Sequence, residues 1–453
     1  MSKFYKNIAM KCLAASMLAA PAISAQTLQS GYFDDNYQFR YRANPALGNN
    51  EHCFVAMPAL GNLNVATQGN LTLDNVLYNI NGKTTTFLNP EVDAASFLGN
   101  LKEKNRIGLS LNETLIAVGW KSWGGFNTIT VGARAEVSAY LPKDLFRLAK
   151  EGASNQAYDI GQLGATAQAW GEIALNHSHK INDKWRVGAT LKLLVGLGNV
   201  DAKFNNATLT LGQDTWSASV DAQLNTSIKN LTYKTDYNEN TRRNYVSGMD
   251  CDNFGIGGFG GAVDLGVAFN PTPDWELSAA VVDLGFINWK NNMLATTDGR
   301  QTVVTDQYSF NVDDDTSFDK FKDDLSMLYQ LSDAGDQGSR TTMLGTTVNI
   351  GARFNLPTYR RLNFGLLNTT RVQGAYSWTN FRLSADIQPV NWLSGGVNVG
   401  YGTFGTSFGW IFNIKAPGFN LYIASDCTPM KLAKQGAPLK TNANVNFGIT
   451  FPF

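Results

Sequence analysis

From Asn442 to Phe453 the chain reads NANVNFGITFPF, with an apolar residue at every odd position and a polar residue, glycine or proline at every even one. A repeat of two marks a strand with one apolar and one polar face. The same alternation runs through FNTITVGARAEVSAY (Phe126 to Tyr140), where Ile129, Val131, Ala135 and Val137 oppose Thr130, Arg134, Glu136 and Ser138. It recurs from Ala165 to Leu175, Trp185 to Leu197, Gly258 to Phe269 and Trp275 to Val281. Later, Phe381, Leu383 and Ala385 oppose Arg382, Ser384 and Asp386. Most runs reach about nine residues or more, enough for a tilted strand to cross a hydrocarbon core.

The connections alternate in length. Short turns read WGG (Trp123 to Gly125), INDK (Ile181 to Lys184), NPTPD (Asn270 to Asp274), LPTYRR (Leu356 to Arg361), PVN (Pro389 to Asn391) and APG (Ala416 to Gly418). Long connections lie between them, near Leu141 to Gly164, Lys229 to Phe254 and Asn291 to Met343. This pattern predicts an all-β chain forming a single antiparallel transmembrane β-barrel of about 14 strands, within a range of about 12 to 16. The short turns are periplasmic and the long loops extracellular. Asn206 to Leu224 is expected as a hairpin extending above the membrane. A closed barrel leaves no backbone group unpaired in lipid, so the last strand must close the sheet while showing lipid its apolar side. Its aromatic end, Phe453, also resembles the signal by which bacterial barrel-assembly machinery recognises its clients, which makes that machinery and outer-membrane lipid the expected partners.

Composition adds the compartment. Lys3, Lys6 and Lys11 precede a short apolar run from Cys12 to Ala22, and Ile23-Ser24-Ala25 suits cleavage, so residues 1–25 read as a removed signal peptide. Residues 26–50 are expected as a periplasmic or plug segment and 51–453 as the barrel. The whole chain balances 37 basic against 37 acidic residues; losing the leader's lysines leaves a small acidic excess, without a nucleic-acid footprint. Cys53, Cys251 and Cys427 remain, with no CxxC spacing and no zinc pattern. Cys251 and Cys427 fall in two long loops and could pair.

GGAVDLGVAFNPTPDWELSAAVVDLGFINWK (Gly260 to Lys290), FDDNYQFRYRANPAL (Phe33 to Leu47), YLPKDLF (Tyr140 to Phe146) and APGFNLYIASD (Ala416 to Asp426) together resemble an uncharacterised outer-membrane β-barrel family common in Bacteroidota. That family is broadly similar to long-chain fatty-acid transporter-like barrels and to barrel components of a secretion system. The resemblance implies fold and outer-membrane location, and no biochemical activity comes with it.

Strand parity sends Arg134, Glu136, Glu172, Arg186, Lys192, Asp264, Arg353, Arg382 and Asp386 into the lumen. Their mixed signs favour an interior hydrogen-bonded network over a selectivity ring for one type of ion. The INDK turn would set Glu172 across from Lys192. Asp283 falls on the lipid-facing parity of its strand, where a charge is costly, so a bulge is expected to turn it inward and to mark a possible lateral opening. His177 and His179 share a face near a turn while Ser178 points the other way, which is neither a catalytic set nor a metal site. Asp313 to Leu331 reads as a small amphipathic helix over the mouth, and its acids lack the glycine and closing glutamate of a calcium loop.

No cofactor, metal or catalytic constellation is expected, and the chain is not read as an enzyme. The leading expectation is passive or gated uptake of an apolar or amphipathic small molecule. The alternative is a non-transporting barrel that scaffolds a secretion or surface complex.

Overall fold

The computed structural model describes residues 27–48, 52–71, 73–151, 156–161, 163–211, 215–239, 242–252, 255–297, 299–304, 330–428 and 442–453. The leader and almost all of the helix expected between Asp313 and Leu331 lie outside the described residues.

The chain forms a closed antiparallel barrel of 14 strands. In chain order, β1 is Cys53–Ala56 continued as Asn62–Gly69, β2 Lys104–Ser122, β3 Gly125–Pro142, β4 Gly164–Lys180 and β5 Trp185–Leu211. Next come β6 Gly258–Thr272, β7 Trp275–Trp289, β8 Arg340–Met343 continued as Thr346–Asn355, β9 Leu362–Val372 and β10 Trp378–Val390. The circuit ends with β11 Leu393–Gly402, β12 Gly405–Ala416, β13 Phe419–Ser425 and β14 Ala443–Pro452. The sheet closes where β14 meets β1, with Val55 opposite Phe451 and Val65 opposite Val445.

Alternation decides which residues face out. On β14, Val445 is 56% exposed and Asn446 is fully buried. Trp123, Trp185, Trp275 and Trp392 are exposed at the short-turn end, and Phe259, Phe286, Phe381 and Tyr401 near the long-loop end. Aromatic rings at both edges of an apolar band are the girdles of a barrel built for a bilayer. The turns are tight: between β2 and β3, Trp123 and Gly124 both take positive φ, the twist a two-residue hairpin needs.

β5 outruns the barrel. Its first part pairs with β6, and beyond Gly198 it pairs with the strand Thr215–Ile228. The expected hairpin above the membrane is therefore present, and it builds a sheet beyond the mouth with Gly299–Val304. Beside it, the short helices Ala94–Gly99, capped by Asp93, and Lys143–Glu151 bury Phe97, Leu98 and Phe146 against Leu141. Cys251 is a free thiol that donates to the Lys229 carbonyl, so the Cys251 to Cys427 bridge does not form.

The seam suggests a first test. Cys53 N–H donates to the Phe453 carbonyl at 2.9 Å, and Phe453 N–H returns the bond at 3.0 Å. Deleting Phe451 to Phe453 removes this pair and the Phe54 and Val55 rungs, and should leave little heat-modifiable barrel in the outer-membrane fraction. Normal levels of folded barrel would show that closure does not need this end.

Candidate functional site

The lumen is filled by the chain's own residues 27–48, nearly all of them buried. Tyr37, Phe39 and Tyr41 pack with Phe54, Phe126 and Tyr422, and the rings of Tyr37 and Tyr422 lie edge to face at 4.8 Å. The wall makes room with glycine. A Cβ at Gly188 would lie 2.2 Å from the Pro45 backbone, and one at Gly365 would lie 2.2 Å from the Phe33 ring.

Polar anchors then fix the segment along its length. Ser30 N–H donates to the Asp426 carboxylate at 2.6 Å, and Ser394 Oγ donates to Asp34 at 2.8 Å. Tyr32 and Ser278 share a bond of 2.9 Å, Thr450 donates to Gln38 at 2.6 Å, and Ser178 donates to the Ala46 carbonyl at 2.9 Å. Arg353 grips Asp35 through both nitrogens, at 2.9 and 3.0 Å, while Arg40 takes the same carboxylate from within the segment.

Halfway up the lumen the buried charges converge. Glu172 accepts from Arg42 at 2.8 Å and lies 3.4 Å from Arg134, which also reaches Asp283 at 2.9 Å. Lys192 bridges Asp264 and Asp283, both at 2.7 Å. Arg42, Arg134 and Lys192 thus balance Glu172, Asp264 and Asp283 with side chains that are all nearly buried, where an unmatched charge would be costly. Glu172 does not pair with Lys192, contrary to the reading of the turn. Asn182 Oδ1 accepts from the Lys184 and Trp185 N–H groups and sets Lys180 opposite Arg186. The ladder consequently puts Leu194 across from Glu172 and Ala174 across from Lys192.

Asp283 sits at a bulge in β7, where pairing with β6 slips between Val263 and Leu265. Its φ of 61° turns the carboxylate into the lumen, and its N–H donates to Asp264 Oδ1 at 2.7 Å. The wall stays closed at the bulge: Thr346 Oγ1 donates to the Asp283 carbonyl at 3.4 Å and Leu344 N–H to the Gly285 carbonyl at 2.9 Å.

Among the other residues singled out by parity, Glu136 meets Arg371 at 2.6 Å and accepts from Gln168 at 3.1 Å. Arg382 is buried against Gln29, Asn398, Ser407 and the Asp426 carbonyl. Asp386 accepts from Ser384 at 3.0 Å, while its Oδ1 is buried without a partner. Arg186 is half-buried near the short-turn end and makes no ion pair among the described residues. Arg40, Arg42, Asp34, Asp35, Arg371 and Asp426 were not singled out from sequence. Arg371 lies on the inward parity of β9 and was legible there, whereas the others sit outside the strands, Arg40 and Arg42 in a short 3-10 helix, Asp35 on a turn and Asp426 on a bend. His177 and His179 lie on the outward parity of β4, and no group of three metal-binding side chains occurs among the described residues.

Space remains above and around the inner segment. Two small cavities open toward the long-loop mouth and share Gln68, Trp378 and Phe404. A third reaches from Trp378 and Arg371 down to Arg134 and Asp283, and a fourth continues from Arg134 and Thr27 to Lys192 and Asp264. Cavities that share lining residues thus succeed one another from the mouth to the ion cluster at the bulge.

The sequence model of the Family of unknown function (DUF5723) matches residues 45–426. No curated protein matches the sequence. Solved structures with a similar course include the toluene transporter TbuX of Ralstonia pickettii, at 10% identity and a TM-score of 0.38, covering 90% of this chain and 91% of that one. A Pseudomonas aeruginosa FadL homologue gives 11% identity and a TM-score of 0.40, covering 95% of this chain and 98% of that one. The toluene transporter TodX of P. putida gives 10% and 0.38, with 95% and 96% covered. The assignment of fold rests on the strand ladder of the chain itself.

Proposed function

The chain belongs to the DUF5723 family of unknown function, and from its lumen we propose that it is a gated outer-membrane passage for an amphipathic small molecule, with residues 27–48 as the plug. The observation that carries this reading is the row of cavities from the mouth to the Asp283 bulge, beside a segment that is tied to the wall by many separate polar contacts as well as by packed rings. A barrel serving only as a scaffold needs no such space.

The lining narrows the solute. Guanidinium, amide and hydroxyl groups line the mouth cavities beside the aromatic rings, so a purely apolar solute would displace water from polar walls without replacing its hydrogen bonds. A solute with one polar and one apolar part fits better.

Planar-bilayer recording tests the gate. The intact barrel is expected to be nearly silent, and a variant lacking Thr27 to Gly48 to show stable large channels. Large channels in the intact protein would remove the plug from the account. Silence in both, with a protein that co-purifies, would favour the scaffold.

A further inference from the structure

We infer that the cavities at the mouth form a recognition site for a compact carboxylate that carries a ring. This rests on the passage reading and names the class of solute that would enter it. The first observation is charge. Arg106, Arg371 and Arg382 line the two mouth cavities, against Glu136 and Asp426. Glu136 is taken by Arg371. The Asp426 carboxylate is taken by the Gln29 and Ser30 N–H groups and by Asn444.

Arg106 has no carboxylate partner among the described residues: it donates to the Ser377 carbonyl at 2.7 Å and lies over the Tyr140 ring. Arg382, only 3% exposed, meets neutral acceptors alone. The mouth thus holds an excess positive charge, whereas the cluster below it is balanced. A guanidinium with donors to spare is geometrically matched to an oxyanion, and a carboxylate is the organic group that meets both demands.

The second observation is shape. Trp378 lines three of the cavities, with Tyr376 and Phe404 beside it in the first. These rings offer a surface on which a flat or cyclic body can stack. Below the mouth, the fourth cavity counts Arg42, Arg134, Glu172, Lys192 and Asp264 in its lining. A long alkyl chain reaching that depth would lie among five charged side chains, so the ligand is compact.

Equilibrium dialysis of the purified full-length barrel against three probes tests the inference: benzoate carries both features, benzyl alcohol the ring without the charge, and acetate the charge without the ring. Benzoate is expected to bind about tenfold tighter than either, as one charge-assisted pair or one stacked ring would give. Arg106→Met should erase the advantage over benzyl alcohol and Trp378→Leu the advantage over acetate, each in protein shown to be folded by heat-modifiability. Because the two variants report different features, one that fails to fold leaves the other decisive. Equal binding of benzoate and benzyl alcohol would overturn the carboxylate, and equal binding of benzoate and acetate would overturn the ring. Preference for benzoate without benzoate flux into liposomes would sink the passage and keep the site; flux without preference would do the reverse.

Discussion

Asp283→Leu is expected to destabilise the barrel more than any other single change in its interior. Two costs combine. The aspartate holds a φ of 61°, a region that costs an ordinary branched side chain roughly 1 to 2 kcal/mol. Its loss also strips Lys192 and Arg134 of a shared partner, and breaking a buried pair from one side costs about 3 to 5 kcal/mol.

Asp283→Asn separates the two terms, because asparagine tolerates the left-handed backbone and keeps a hydrogen-bonding oxygen while removing the charge. The expected order of urea midpoints for the folded barrel in detergent is wild type, then Asn, then Leu. Asn and Leu variants of equal stability would mean that the charge alone matters at the bulge. A wild-type midpoint in both would show that the cluster contributes nothing to holding the wall together.

The cluster also shows what a sequence can and cannot reveal about such a lumen. Parity is local, since successive side chains on one strand point to opposite faces. It was therefore enough to send Arg134, Glu172, Lys192 and Asp264 inward and to flag Asp283 as an exception that needed a bulge. Strand starts were equally legible where a turn signal met an aromatic residue, so that β5 and β7 begin at Trp185 and Trp275 as the pattern implied. β1 was harder to read. It breaks between Ala56 and Asn62, where Ala59, rather than the nearby Gly61, takes a positive φ.

Partners across strands depend on register, and register depends on how a turn is hydrogen-bonded. Asn182 moved the β4 and β5 pairing by two residues, which preserved every face and changed every partner. Residues 27–48 were the least legible part. In FDDNYQFRYRANPAL, Tyr37, Phe39 and Tyr41 alternate with Gln38, Arg40 and Arg42 as in a strand, yet the segment folds as turns and a short 3-10 helix, and its charges acquire meaning only against a wall already built. Asp35, Arg40 and Arg42 meet Arg353, Glu276 and Glu172, residues hundreds of positions away or on other strands. The glycines that admit the segment, Gly188 and Gly365, look in the sequence like ordinary interruptions of a strand.

The outward and inward faces can be told apart most sharply at two neighbours on β10. Leu383 is 63% exposed and opposes Leu366 and Val399, themselves exposed, whereas Ser384 is 7% exposed and opposes Gly365 and Asn398. Leu383→Arg puts a guanidinium on the apolar band, at a cost of about 2 to 4 kcal/mol if the site lies near the bilayer midplane, and should sharply reduce folded protein in the outer membrane. Ser384→Arg faces the lumen two residues from Asp386, whose Oδ1 is buried without a partner, so the new charge has an acid within its reach. It should insert. Its bulk falls beside Gly365 and the Phe33 ring, however, so the inner segment should loosen and channel activity should rise. Quantifying folded barrel in outer-membrane fractions separates the cases: equal tolerance at both positions would mean that β10 does not cross the bilayer, and loss at Ser384 alone would mean that its two faces are reversed.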